Sequence, residues 1–152
     1  MSWQGEVFKG KIGFTMEESA PQWDLPTRPP AGTPNVLLIV LDDVGYGHLG
    51  CYGSPIETPH IDALAAQGLR YTNWHTTAMC SPTRSCLLTG RNHHSNGMGM
   101  ISELASGYPG YDGMPKPSRA YISEILQAKG FTTFALGKWH QVPAEEMSTS
   151  GP

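Results

Sequence analysis

The chain has 152 residues, enough for one modest domain with a hydrophobic core. Its net charge of −3 and its 15% of charged residues give no general electrostatic footprint for nucleic acid or for an anionic membrane surface. The 18 glycines and 13 prolines favour a loop-rich globular protein over a helical bundle.

No targeting or membrane segment is predicted. The first 34 residues lack an apolar targeting region, and the longest aliphatic run, Val36–Leu41, is too short to cross a bilayer. The three cysteines do not form an even set of disulfide partners. These features predict a cytoplasmic protein with reduced thiols.

Residues 1–34 are predicted to form an irregular, proline-rich N-terminal arm. The aliphatic run NVLLIVLDD follows and ends in Asp42 and Asp43. It does not alternate and is too short for a helix, so it predicts a strand that is buried on both faces. After a glycine-rich loop, TPHIDALAAQG predicts a helix with Thr58 as N-cap and Gly68 as its end.

Helices and strands alternate along the rest of the chain. The predicted order is a strand at 69–77, a helix at 81–90, a loop at 91–117, a helix at 118–130 and a strand at 131–140. The helix at 81–90 has Ser81 as predicted N-cap, Pro82 as first residue and Gly90 as its end. Strands that alternate with helices predict an α/β fold with a largely parallel sheet, whose sites form beyond the carboxyl ends of the strands.

Chemically reactive residues follow each predicted strand. Asp42 and Asp43 end the first strand, and two adjacent carboxylates leaving a buried strand suit a hard divalent cation. The same pair could instead cap the next loop in solvent, and the residues alone leave both readings open.

Cys80 follows the second predicted strand, at the start of a helix. The positive end of the helix favours an anion there, and Arg84 adds a positive charge in the first helical turn. This arrangement indicates a local anion site, although a buried cysteine beside a solvent-facing arginine remains the alternative. The spacing fits neither a cysteine phosphatase loop nor a zinc site, and Cys86 is interpreted as a core residue.

Lys138 and His140 end the third predicted strand. Because side chains alternate along a strand, both are expected on one face, with Trp139 on the other. A cation and an imidazole on one face suit an anionic ester. A solvated strand end is the competing interpretation.

Four motifs together resemble the type I sulfatases, most closely the bacterial arylsulfatases. CSPTR matches the family signature C-x-P-x-R, and GKWH resembles the family's substrate-binding segment. NVLLIVLDDVGYGHLGCYG resembles its first metal-binding strand, and TPHIDALAAQGLRYTNWH resembles the helix and strand before the signature. The likeness spans residues 35–147, with Gln141 standing where the family often has leucine.

The resemblance implies an alkaline-phosphatase-like α/β fold, here present in part, with a mixed and mostly parallel sheet covered by helices on both faces. It also implies hydrolysis of sulfate esters. Cys80 would be oxidised by a maturation enzyme to Cα-formylglycine, whose hydrated gem-diol attacks sulfur. Site roles carry over to six residues: metal binding for Asp42, Asp43 and Cys80, catalysis for Cys80, Arg84 and His140, and sulfate binding for Lys138 and His140. The cation would be Ca²⁺, less often Mg²⁺.

Residues 35–152 are therefore interpreted as the N-terminal portion of a sulfatase catalytic domain. The family's other metal ligands and substrate-binding residues are expected later in a longer chain, so the 152 residues alone are predicted to be inactive. Two alternatives stay open: a phosphonate or phosphate ester hydrolase of the same superfamily, and a non-catalytic relic. The expected partners are a small sulfate ester and the maturation enzyme, with neither nucleic acid nor membrane.

Overall fold

A computed structural model describes residues 8–23, 27–116 and 118–143. Within these ranges the α-helices are α1 (Pro59–Gln67), α2 (Cys80–Thr89) and α3 (Ile122–Gln127). Short 3-10 helices form at Tyr46–His48, Gly50–Tyr52, His93–Asn96 and Ser102–Leu104. Parts of the predicted arm (1–7 and 24–26) and of the predicted domain (117 and 144–152) lie outside the described residues.

Helix α1 begins and ends where its sequence predicts. Thr58 is the N-cap, Pro59 lies in the first turn, and Gly68 is the C-cap. The Thr58 hydroxyl does not cap the helix. It donates to Asp62 Oδ1 at 2.8 Å and accepts from the backbone N–H of Gly50 at 2.8 Å. These bonds fasten α1 to the glycine-rich loop that precedes it.

Helix α2 begins earlier than predicted. Its N-cap is Met79 and its first residue is Cys80, so the prediction of Ser81 as N-cap is wrong. Pro82 fits inside the first turn because the first N–H groups of a helix have no partner within the helix. The predicted end at Gly90 is confirmed by its φ of 66° and by its N–H, which donates to the Cys86 carbonyl at 2.8 Å.

Helix α3 is shorter than the predicted 118–130. Tyr121 is its N-cap, and the Tyr121 N–H donates to Glu124 Oε2 at 2.6 Å. Beyond the helix, Gly130 takes a φ of 87° and donates its N–H to the Gln127 carbonyl at 2.8 Å. The turn at Gly130 also lies against the backbone of Thr27, which places this part of the arm beside the end of α3.

The three predicted strands are not formed among the described residues. Residues 35–41, 69–77 and 131–140 are irregular. The strand-type pairing found among the described residues is one antiparallel bridge in the predicted arm, between Lys11 and Ala20. Residues of the run Val36–Leu41 are 38–84% exposed. A buried parallel strand needs neighbours on its edges and helices over both faces, and the described residues supply neither to this run.

The buried centre of the described residues surrounds the first turns of α2. Met98, Val142 and Pro82 are buried apolar side chains within it. Its buried polar residues come from α2 and two later segments: Ser81, Ser85, Asn96, Ser102 and Gln141. The Asn96 amide donates to the hydroxyls of Ser85 at 3.0 Å and Thr89 at 2.7 Å. These bonds hold the loop after α2 against the helix.

None of the described helices has the length and apolar character needed to cross a bilayer.

Candidate active site

Two cations hold the carboxylate of Asp42. Its Oδ2 lies 2.6 Å from Lys138 Nζ, and its Oδ1 lies 3.3 Å from the Arg84 guanidinium. Asp42 and Lys138 are 40% and 42% exposed, whereas the Arg84 side chain is 12% exposed. Arg84 is thus the buried member of this group, and the carboxylate lies at its surface.

Arg84 also binds backbone. A second guanidinium nitrogen donates to the carbonyl oxygen of Lys138 at 2.7 Å. One side chain on α2 therefore fixes both the end of the aliphatic run and the GKWH segment. This is the planar, multiple-donor geometry for which arginine is suited and lysine is not.

The opposite charges of Asp42 and Lys138 stabilise the ionised form of each side chain. The hydrogen bond from Lys138 lowers the pKa of Asp42, and Arg84 lowers it further. The bond to Asp42 raises the pKa of Lys138, and proximity to Cys80 adds to that effect. Cys80 is the first residue of α2, and Arg84 on the same helix donates to the Lys138 carbonyl.

His140 binds a different carboxylate. Its Nε2 lies 2.7 Å from Glu103 Oε2, and this bond is the main reason that the pKa of Glu103 is lowered. The His140 side chain is 13% exposed, and its Nδ1 is buried without a hydrogen-bond partner among the described residues. Its φ of 54° is uncommon for a residue other than glycine, and such backbone outliers concentrate at functional sites.

Gln141 joins the GKWH segment to the start of α2. Its buried amide donates to the carbonyl oxygens of Ser81 and His140, each at 2.9 Å. The Ser81 hydroxyl in turn accepts from the N–H of Ser102 at 3.3 Å. Three segments of the chain are thereby tied together next to Cys80.

The predicted site residues fall into two groups. Asp42, Cys80, Arg84 and Lys138 lie together, while His140 turns to Glu103. Asp43 is exposed and has a φ of 54°. The alternation expected between Lys138 and His140 requires a strand, and the described segment is irregular. Trp139 packs on Tyr121 with ring centroids 5.7 Å apart.

The described residues do not by themselves fit a metal ion. Among them, no group of three or more His, Cys, Asp or Glu side chains is arranged to hold one. Both oxygens of Asp42 are engaged by cationic side chains. A Ca²⁺ ion takes about six to eight oxygen ligands, and Asp42 with Asp43 supplies far fewer.

Similarity to a known protein family extends over most of the chain. The sulfatase family model matches residues 34–150. The chain belongs to the sulfatase family. Membership implies the α/β fold of that family, and it implies a formylglycine and a divalent cation in the mature enzymes.

Relatives of this sulfatase chain come from distant organisms. An uncharacterized sulfatase of Schizosaccharomyces pombe is 45% identical over 114 residues, covering 70% of this chain and 21% of the relative. Human arylsulfatase A is 43% identical over 114 residues, or 72% and 21% of the two chains. Klebsiella aerogenes arylsulfatase is 36% identical over 109 residues, or 70% and 24%. The chain spans about a fifth of the length of these curated relatives.

Two residues beside the sulfatase signature were missed by the sequence reasoning. Glu103 lies in the loop at 91–117, where no periodicity singles out one acid. Gln141 stood out as a departure from the usual leucine, but the pattern gave no reason for it. Its buried bonds to Ser81 and His140 provide that reason.

Proposed function

We propose that this chain is the signature-bearing part of a sulfatase that hydrolyses sulfate esters of the arylsulfatase type. In this proposal residues 1–34 are an arm, and residues 35–152 belong to the catalytic domain. The observation that carries the proposal is that Cys80 begins α2, the helix whose Arg84 bonds Asp42 at 3.3 Å and the Lys138 carbonyl at 2.7 Å. Family membership supports the same reaction class.

Cys80 is the residue proposed to become formylglycine through a maturation enzyme. That group would supply the nucleophilic oxygen for attack on sulfur. The position fits such a group, because Cys80 is partly exposed at the positive end of a helix and has a cation as neighbour.

Lys138 is proposed to bind the sulfate group. Its side chain is 42% exposed, so its ammonium can meet an anionic ester from solvent while it also binds Asp42. Arg84 is proposed to keep this arrangement in place by holding both Asp42 and the Lys138 carbonyl. A sulfate oxygen bound to Lys138 would lie next to residue 80.

His140 is proposed to hold or transfer a proton through Nδ1, since Nε2 is already bound to Glu103. Asp42 and Asp43 remain candidate ligands for Ca²⁺ or Mg²⁺ through family resemblance. Their ligation would require more oxygen donors than the described residues offer.

The test is turnover of a matched aryl sulfate and aryl phosphate by the protein as its native cells make and mature it, because the 152 residues alone are predicted to be inactive. We expect a higher kcat/KM for the sulfate, loss of activity in Cys80→Ala, and a loss of about 100-fold or more in Lys138→Met. Lys129→Met, which alters an exposed lysine after α3, is the matched control and should stay within two-fold of wild type, roughly the scatter expected for surface changes.

Two results would contradict the proposal. A higher kcat/KM for the phosphate ester would favour the phosphate or phosphonate hydrolase. Absence of turnover for either ester by the protein from its native cells, with formylglycine at position 80, would favour a non-catalytic relic.

A further inference from the structure

Glu103 and His140 belong to a closed ring of hydrogen bonds around the start of α2. The imidazole Nε2 lies 2.7 Å from Glu103 Oε2. The carbonyl of His140 accepts from the Gln141 amide, which also reaches the Ser81 carbonyl. The Ser81 hydroxyl returns to the N–H of Ser102, the residue before Glu103. The ring links both ends of the Glu103–His140 contact to the turn that carries Cys80.

We infer that Glu103 is a positioning residue for His140. It fixes the proton on Nε2 and leaves Nδ1 as the nitrogen that can accept a proton. A carboxylate accepts hydrogen bonds and donates none, so the nitrogen bound to it must carry the proton. In neutral His140 that proton sits on Nε2, which leaves the lone pair on Nδ1. The kinetic consequence of this inference rests on the proposed function of His140.

The Nδ1 atom of His140 is free to accept a proton if Nε2 carries the hydrogen. It is buried, and no described residue forms a hydrogen bond with it. A buried polar atom without a partner costs free energy, and such atoms deserve a functional explanation. A nitrogen held as an acceptor, on the segment that Gln141 ties to the signature turn, suits a group that would receive a proton from a hydroxyl on residue 80.

The backbone conformation of His140 is imposed by its surroundings. Its φ of 54° is unfavourable for a side chain with a Cβ, and surrounding contacts must hold it there. The Glu103 side chain is 54% exposed, so burial does little to hold it against the largely buried imidazole. Its position is set mainly by the hydrogen bonds that tie Ser102 and Gln141 to Ser81. Loss of the Glu103 carboxylate should let the His140 imidazole reorient while the buried residues around α2 stay packed.

The first test is NMR of the full chain with ¹⁵N-labelled histidine, which reports the tautomer of each imidazole. The signals of His140 are identified by their loss in His140→Asn. We expect the Nε2–H tautomer for His140 in wild type, and a mixture of tautomers in Glu103→Ala. Glu57→Gln, a change at an exposed acid, should leave the His140 signals unchanged. A tautomer mixture at His140 in wild type would overturn the inference.

The second test is steady-state kinetics of the mature enzyme with an aryl sulfate. We expect Glu103→Ala to lower kcat by about 10- to 100-fold, the effect typical of residues that orient a functional histidine, with KM changed far less. Glu103→Asp, which keeps a carboxylate, should recover part of the loss. An unchanged kcat in a folded Glu103→Ala protein, or a change confined to KM, would contradict a positioning role.

The two tests separate this inference from the proposed function. If wild type turns over no sulfate ester, the proposed function fails, while the tautomer of His140 still decides whether Glu103 holds the imidazole. If Glu103→Ala does not fold, the wild-type tautomer and the Glu103→Asp enzyme remain decisive.

Discussion

Replacing Arg84 with lysine tests whether its guanidinium fastens three segments of the chain. The Arg84 side chain is 12% exposed and donates to the Lys138 carbonyl at 2.7 Å and to Asp42 at 3.3 Å. A hydrogen bond from a charged donor contributes about 1.5–3 kcal/mol, and the ion pair to exposed Asp42 adds little. A single ammonium cannot reproduce both bonds. We therefore expect Arg84→Lys to lower the free energy of unfolding by about 1.5–3 kcal/mol.

Urea denaturation followed by tryptophan fluorescence measures this loss, since Trp139 lies next to Lys138. A lower midpoint with an unchanged slope would identify a change in stability alone. Arg91→Lys is the matched control, because Arg91 is exposed, and its free energy of unfolding should stay within about 0.5 kcal/mol of wild type. An Arg84→Lys protein as stable as this control would refute the reasoning.

Three further predictions concern glycine turns, a buried phenol and acid stability. Gly90→Ala should cost about 1 kcal/mol from its φ of 66° alone, and Gly130→Ala should cost more because its Cβ would meet the Thr27 backbone. Tyr121→Phe should leave the free energy of unfolding unchanged or raised, because the hydroxyl is buried without a partner in the described ranges. Between pH 10 and about 12 wild type should also lose stability that Tyr121→Phe keeps, since burial raises the pKa of Tyr121 to about 12. The stability that Glu103 contributes should be present above pH 4.5 and lost below it, because its bond to His140 lowers its pKa in the folded state.

Each of these predictions has a measurement and a contrary result. Urea midpoints should rank the two glycine variants, and equal losses would contradict the contact between Gly130 and the arm. A clearly less stable Tyr121→Phe protein would mean that the hydroxyl has a partner. For Glu103, the stability difference between wild type and Glu103→Gln should shrink as the pH falls below 4.5, and a constant difference would contradict the lowered pKa.

Local signals predicted both ends of α1 and the end of α2. Thr58 and Pro59 mark the start of α1, and Gly68 and Gly90 mark the ends of α1 and α2. The start of α2 was misplaced because Pro82 is compatible with any position in a first helical turn, so it could not choose between Ser81 and Met79 as N-cap.

Strands were not predictable from local pattern in the same way. The run Val36–Leu41 has the composition of a buried strand, but a strand exists only when a neighbour accepts and donates its hydrogen bonds. In the described residues this run is exposed and unpaired. The composition of this run indicates a strand, but it does not identify which other segments would pair with it.

The candidate site was predictable where a motif names its residues. Cys80, Arg84 and Lys138 follow from CSPTR and GKWH, and the structure brings them together with Asp42. Glu103 was not predictable, because its role arises from a fold that places a loop residue against His140, 37 positions away. Contacts of that kind depend on tertiary structure and leave no local periodicity.

The most direct test of the central claim is the mass of the peptide that contains Cys80, from protein purified out of its native cells under reducing conditions. We expect the thiol-bearing side chain of Cys80 to be replaced by the aldehyde of formylglycine, and an aldehyde-reactive probe to label this peptide. An intact Cys80 thiol in protein that hydrolyses aryl sulfates would contradict this expectation.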